Sequence, residues 1–362
     1  MAMSVFAEES HSPEPGELGA VLGLSADLWD QLVSHVAAAY PPITQIWNFA
    51  GAKYGWSLRP KRRDRIDPDA GCAQDGRQFE RPTLGAVKRG IMGEAYVHGY
   101  EGRENERLHD QAGTLVDLLH SDTSYPAGSV VLEAGCGVGA QTLTLGRRSP
   151  DARFTSVDVS AESIAEAKRK TDAAGLTNVE FRQADIFALP FNPESFDHVF
   201  VCFVLEHLSQ PVAALAILSR LLRPGGTMTV IEGDHGSTYF HPDSSAAHMA
   251  IQCQVELQRA AGGNALIGRQ LYPLMIEAGL AAVRVSPRVV YVDSSRPDLV
   301  DGFTRKTFTA MIEGVRESAI AAGIIDPEAF DAGVRDLHRT AEADGVFCYT
   351  FFKGVGEKRR RA

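Results

Sequence analysis

The chain has 362 residues, 44% hydrophobic and 23% charged, with a formal net charge of −10. That length exceeds one ordinary domain, so a domain of usual size with an appended module is expected, and the composition excludes a disordered or fibrous chain. The acidic balance argues against a general nucleic-acid binder, which would carry a basic face, and no apolar run reaches the roughly 20 residues of a membrane span.

Residues 1–24 are rich in Pro, Gly and acids, the composition of a flexible leader. The first 16 residues lack the basic start and apolar stretch of a secretory signal, so a cytoplasmic protein is expected. Cys72, Cys136, Cys202, Cys253 and Cys348 are widely spaced, with neither a Cys-x-x-Cys pair nor a zinc-type His pattern. They are expected to be reduced thiols that hold no metal.

Leu28, Leu32, Val36 and Ala39 fall on one face of a helix predicted over residues 27–40 and stopped by Pro41 and Pro42. Trp47, Phe49, Tyr54 and Trp56 then crowd around Gly51 and Gly55. The Lys53-Tyr54-Gly55-Trp56-Ser57 wording, with the Leu28-Trp29 helix before it, resembles a small bacterial domain family of uncharacterised function over residues 25–65. Residues 67–82 are polar and turn-rich, so 25–83 is expected to be a small N-terminal module or remnant. Two basic runs, 59–65 and 358–361, are expected to be a solvated loop and a frayed terminus.

From Leu84 onward strand and helix signals alternate, the pattern of a parallel sheet covered by helices. Strands are predicted at 129–133, 153–158, 179–185, 198–203 and 227–232, with helices at 140–148, 161–174 and 212–222. The first strand runs through Glu133 into Gly135, Gly137 and Gly139. Glycines there permit a sharp turn and close ligand approach, and the following helix would direct free N–H groups at the ligand. Because Gly135, Gly137 and Ala140 also satisfy a dinucleotide fingerprint, an NAD(P)-dependent oxidoreductase is an alternative. Asp158, at the end of the second strand, would accept ribose hydroxyls from either cofactor. Asp185 closes the third strand, where a nicotinamide enzyme has no standard need of an acid.

The Glu-x-Gly-x-Gly-x-Gly loop, Asp158, Asp185, the Phe196-Asp197 strand start and the Arg223-Pro224-Gly225-Gly226 turn occur in the order found in class I S-adenosylmethionine-dependent methyltransferases, which residues 85–355 resemble. The resemblance implies an α/β fold: a doubly wound, seven-stranded Rossmann-like sheet whose seventh strand is antiparallel between the fifth and sixth. Residues 281–293 and 346–354 are the candidates for strands six and seven. It further implies S-adenosyl-L-methionine as cofactor, with Asp185 on the adenine amino group, Ile186 and Cys202 beside it, and Tyr96 or Tyr100 closing over the methionine end. Glu133 would brace the loop or meet the cofactor's ammonium group.

Ligands of open parallel sheets bind outside the carboxyl ends of the strands. After strand four the chain reads Cys202-Phe203-Val204-Leu205-Glu206-His207, without the motifs of DNA-base methyltransferases, which favours a small-molecule acceptor. After strand five, residues 232–242 are predicted to form a loop dense in ionisable and aromatic groups. His235 is the first candidate for a general base, with His207 and His241 as competitors. Residues 294–343 are predicted to be a helical insertion between strands six and seven, either capping the pocket or meeting a second copy in a homodimer. The expected activity is methyl transfer to an O, N or C nucleophile of a metabolite; a catalytically inactive cofactor-binding regulator is a further alternative.

Overall fold

Val130–Ala134 (β3) is apolar except for Glu133, and its side chains alternate between two buried clusters, Val131 on one face of a sheet and Leu132 on the other. The computed structural model describes Ile43–Phe49, Trp56–Arg62 and residues 114–360. The chain divides into two compact units, Met1–Val87 and Lys88–Ala362. In the first, Ile43–Phe49 (β1) pairs antiparallel with Trp56–Arg62 (β2), Phe49 lying opposite Trp56. The predicted helix over 27–40, Tyr96 and Tyr100 lie outside the described residues.

The second unit holds a seven-stranded sheet built from β3, Arg153–Asp158 (β4), Val179–Gln183 (β5), Phe196–Cys202 (β6), Leu222–His241 (β7), Ala281–Val292 (β8) and Val346–Glu357 (β9). Its order is β5-β4-β3-β6-β7-β9-β8, with β9 antiparallel to both neighbours and the first five strands parallel. The methyltransferase arrangement implied by the sequence is therefore present. Three crossover helices, Ala140–Arg148 (α1), Ala161–Ala173 (α2) and Pro211–Leu221 (α3), match their predicted spans to within a residue.

Helices α2 and α3 start where local chemistry directs them. Ser160 accepts the N–H of Ser163 at the start of α2, and Pro211 occupies the first turn of α3, where its missing N–H costs nothing. Leu145 of α1 packs with Phe154 and Phe200 on one face of the sheet; Leu215 and Leu218 of α3 pack with Val199 and Val201 on the other. The direction of winding thus reverses between β3 and β6, which opens a crevice between their carboxyl ends.

The structure corrects the predicted loop at 232–242. β7 continues to His241, far beyond the predicted end at Glu232, pairing with β9 through Asp234↔Thr350 and, after a bulge, Tyr239↔Cys348 to His241↔Val346. A two-stranded ribbon, flanked by the end of β8, therefore projects past the carboxyl edge of the other strands. Two further helices escaped the sequence reading, Ser245–Ala260 (α4) and Leu271–Glu277 (α5). The insertion is helical over Pro297–Leu299, Val300–Thr309, Ala310–Gly314, Arg316–Ala321 and Pro327–Arg339 (α6), with a wide π-type winding over Val300–Thr309. It packs on the ribbon: Phe303 and Phe308 meet Phe347 and Tyr349, and Gly333 lets α6 approach the backbone of α4 at Ala246.

Candidate active site

Gly135, Gly137 and Gly139 all have positive φ, at 76°, 50° and 76°, a conformation open to glycine with little strain. At Gly139 a Cβ would lie 2.8 Å from the Cβ of Ala167, so this glycine seats α1 against α2. At Gly135 a Cβ would run into the methyl groups of Val204, which descends from the turn after β6. Over Gly137, by contrast, nothing lies within 4 Å of where a Cβ would be. This open cradle above the middle glycine is what a loop that receives a ligand requires, and the residues present fit a cofactor there.

The acids around the loop have separate tasks. Asp158 ends β4 and its Oδ2 accepts the N–H of Gly137 at 2.8 Å, while Oδ1 accepts from Ser160 at 2.9 Å. Asp185 caps a short 3₁₀ turn, Ile186–Ala188, accepting the N–H of Phe187 at 2.9 Å, and Ile186 is buried beside it. Glu133 is buried, and one oxygen accepts the hydroxyls of Thr142 at 2.7 Å and Ser156 at 2.6 Å. Burial pushes its carboxyl up to about 7 despite these bonds. These bonds tie β3 to α1 and β4.

Cys202 sits at the carboxyl end of β6, on the other side of the crevice, buried, with its thiol pushed up by burial. The next residue, Phe203, has φ 57°, an uncommon conformation for a bulky side chain. Its N–H is held by the carbonyl of Ile231 at 2.9 Å and its ring meets Phe351 at 5.5 Å. His207 ends the short turn that follows, with Nε2 3.7 Å from Glu206 Oε1.

His235 is not on a loop. It is buried in β7, its Nδ1 is 2.7 Å from the hydroxyl of Tyr349, and its ring stands edge-on to Phe308 of the insertion. Burial pushes the Tyr349 phenol well above its usual value, so it keeps its proton. Neighbouring Asp234, also buried, forms a bidentate pair with Arg269 at 2.5 and 2.8 Å. His241 ends the ribbon, opposite Val346. The structure thus brings Glu133, the glycines and Asp158 together on the β3 side and Cys202, Glu206 and His207 on the β6 side, while His235 rises on the ribbon. Two further buried carboxylates lie in the segments the sequence assigned to the pocket, without a role of their own there: Glu206 Oε2 is 3.2 Å from the donating amide of Gln258, and Glu232 lies fully buried in β7.

The Phe196-Asp197 start and the Arg-Pro-Gly-Gly turn lie at the opposite end of the strands. Asp197 accepts the N–H of Val130 at 2.8 Å and pairs with Arg223 at 2.6 Å, and Gly226 has no room for a Cβ beside the carbonyl of Asp197. These motif residues lock the amino ends of β3, β6 and β7. They position the site without lining it.

A family model described as a methyltransferase domain matches residues 131–226. The chain is 35% identical over 281 residues to an uncharacterized 37.1 kDa protein in a transposon of Streptomyces fradiae, covering 73% of this chain and 79% of that one. It is 32% identical over 161 residues to an uncharacterized methyltransferase of Schizosaccharomyces pombe, covering 43% and 58%. Over 102 residues it is 37% identical to a demethylmenaquinone methyltransferase of Thermus thermophilus, covering 28% and 46%. The chain thus spans about half the length of these two methyltransferases, and the family model stops at Gly226, short of the ribbon and the insertion.

Proposed function

We propose that the chain, whose residues 131–226 match a methyltransferase domain on a sheet of the methyltransferase order, is a class I S-adenosylmethionine-dependent methyltransferase that transfers a methyl group to an O, N or C nucleophile of a small molecule held between the β3–β6 crevice and the β7–β9 ribbon. The observation that carries this reading is the open cradle over Gly137, whose N–H is held by Asp158 at the end of the neighbouring strand. The methyltransferase-domain match over residues 131–226 favours this reading over the nicotinamide alternative.

S-adenosyl-L-methionine, when bound, supplies an already activated methyl group. The loop of Gly135, Gly137 and Gly139 would hold it, Asp158 and Asp185 would read its ribose and adenine, and Ile186 and Cys202 would line it. The insertion at 294–343 selects the acceptor by covering the ribbon and excluding water. Much of the rate then comes from alignment of the reacting groups. Where the nucleophile must lose a proton, His235, whose Nδ1 lies 2.7 Å from the Tyr349 hydroxyl, is the first candidate to take it. His207 is the second candidate for this role. A cytoplasmic setting fits the free, buried thiols of Cys136, Cys202, Cys253 and Cys348, and contact with a second copy in a homodimer is the other reading of the insertion; no helix among the described residues is long and apolar enough to cross a membrane.

The test is transfer of an isotopically labelled methyl group from the donor into a broad metabolite extract, followed by identification of the product. His235→Gln is expected to lower kcat by about 100-fold or more while leaving the affinity for S-adenosylhomocysteine unchanged, with His207→Gln changing it little. No labelled product from any extract, with the cofactor product still bound, would favour a catalytically inactive regulator.

A further inference from the structure

The turn that closes on the glycine loop is held by one carboxyl group. Glu232 is fully buried in β7, and its Oε1 accepts the N–H groups of Val204 at 3.0 Å and Leu205 at 2.8 Å. These amides follow Phe203, whose left-handed backbone has to be held by its surroundings. The methyl groups of Val204 then press on the position where Gly135 lacks a Cβ. One carboxyl oxygen thus connects the acceptor-side strand β7, through the Phe203–Leu205 turn, to the first glycine of the cofactor loop.

The other oxygen, Oε2, is buried and meets no hydrogen-bond donor among the described residues. A charged carboxylate so placed would be strongly disfavoured. The titratable groups that interact with it are Glu206 from the turn after β6, Cys202 of β6 and Tyr349 of β9, while Asp234, farther along its own strand, engages Arg269. Burial first, then the charge of Glu206, drives Glu232 toward its protonated form, against the pull of the backbone N–H groups of Leu205, Val204 and Glu206. A protonated carboxyl keeps the Oε1 acceptor for both amides and gains in Oε2 an O–H donor.

We infer that Glu232 is a positioning residue for the methyltransferase reaction, a clamp that holds Val204 against Gly135 and so fixes the cofactor loop. This rests on the cofactor reading above. Ionising the clamp would set a second negative charge beside Glu206 and loosen the turn, so the cofactor site would weaken as Glu232 titrates.

The test compares wild type with Glu232→Gln, which is neutral at every pH and keeps the carbonyl acceptor, and with Glu232→Ala, which removes it. S-adenosylhomocysteine is titrated calorimetrically between about pH 7 and 10, and exchange of the Val204 and Leu205 amides is followed by mass spectrometry without ligand. Expected are loss of at least about fivefold in wild-type affinity across that range, a flat profile for E232Q within about threefold of wild type at neutral pH, and affinity at least about tenfold weaker for E232A. The two amides should be protected in wild type and E232Q and exposed in E232A. Parallel pH profiles for wild type and E232Q, or wild-type affinity in E232A, would overturn the inference. E232Q alone carries the comparison if E232A does not fold. Protected amides in a wild-type protein that binds no S-adenosylhomocysteine would instead count against the cofactor reading, and unprotected amides in wild type count against the clamp.

Discussion

The carboxylate of Asp158 accepts the backbone N–H of Gly137 at 2.8 Å. An acid at the end of one strand thereby fixes the middle glycine of the loop after its neighbour, and its second oxygen holds the Ser160 amide that opens α2. Asp158→Ala removes the acceptor from both amides. Affinity for S-adenosylhomocysteine is expected to fall by about tenfold or more, and stability by about 1–2 kcal/mol, with Asp158→Asn intermediate, as measured by calorimetric titration and denaturant unfolding.

The three loop glycines are expected to respond differently to a methyl group. Gly137→Ala meets open space, so it should fold with a loss of about 1 kcal/mol from backbone strain yet bind cofactor poorly, because the methyl fills the cradle. Gly135→Ala and Gly139→Ala collide with Val204 and Ala167 and should cost about 2–4 kcal/mol. Adding Val204→Ala should recover part of the Gly135→Ala loss and none of the Gly139→Ala loss. Equal melting temperatures for all three single variants would contradict this ordering.

Two buried groups give stability opposite dependences on pH. Burial raises Glu133 from 4.5 to about 7, so the folded state is favoured below pH 4.5 and loses that advantage as pH rises toward 7. Burial lowers His120 from 6.5 to about 4, so its contribution is present above pH 6.5 and lost as pH falls toward 4. Each is worth about 3 kcal/mol at full extent, and in wild type they largely offset one another. Glu133→Gln should therefore expose a protein that weakens with falling pH, and His120→Gln one that strengthens. Urea unfolding at intervals between about pH 4 and 7 measures both slopes.

Arg269 is half exposed, but its partner Asp234 is almost wholly buried, with side-chain accessibilities of 47% and 2%. Arg269→Ala strands a carboxylate at the start of the ribbon and should cost about 2 kcal/mol or more. The double variant Asp234→Asn with Arg269→Ala should be more stable than Arg269→Ala alone. If the two single losses simply add, the pair is not coupled, as a double-mutant cycle would reveal.

What the sequence disclosed follows the range of the interactions involved. The glycine loop, Asp158 and helices α1 to α3 depend on neighbours in the chain, so spacing and caps suffice to find them. The ribbon escaped because its polar residues, which read as a loop, find partners far along the chain: His235 at Tyr349, Asp234 at Arg269, and Ser237 at the backbone of Thr350. Helix α4 escaped because buried Gln254 and Gln258 interrupt its apolar face. The motif at Asp197 and Arg223 was legible, but only the fold reveals that it locks the far end of the sheet.

Strand β9 is synthesised after β8 yet lies between β7 and β8. Until residues 346–357 leave the ribosome, β8 has no strand to pair with and β7 presents an open edge, including Glu232 and His235. The nascent chain can assemble β3 to β7 early, but the acceptor side closes only when β9 threads into its slot. A stalled or prematurely terminated chain would therefore display an unprotected sheet edge, which makes this late insertion the step most exposed to aggregation and to chaperone capture.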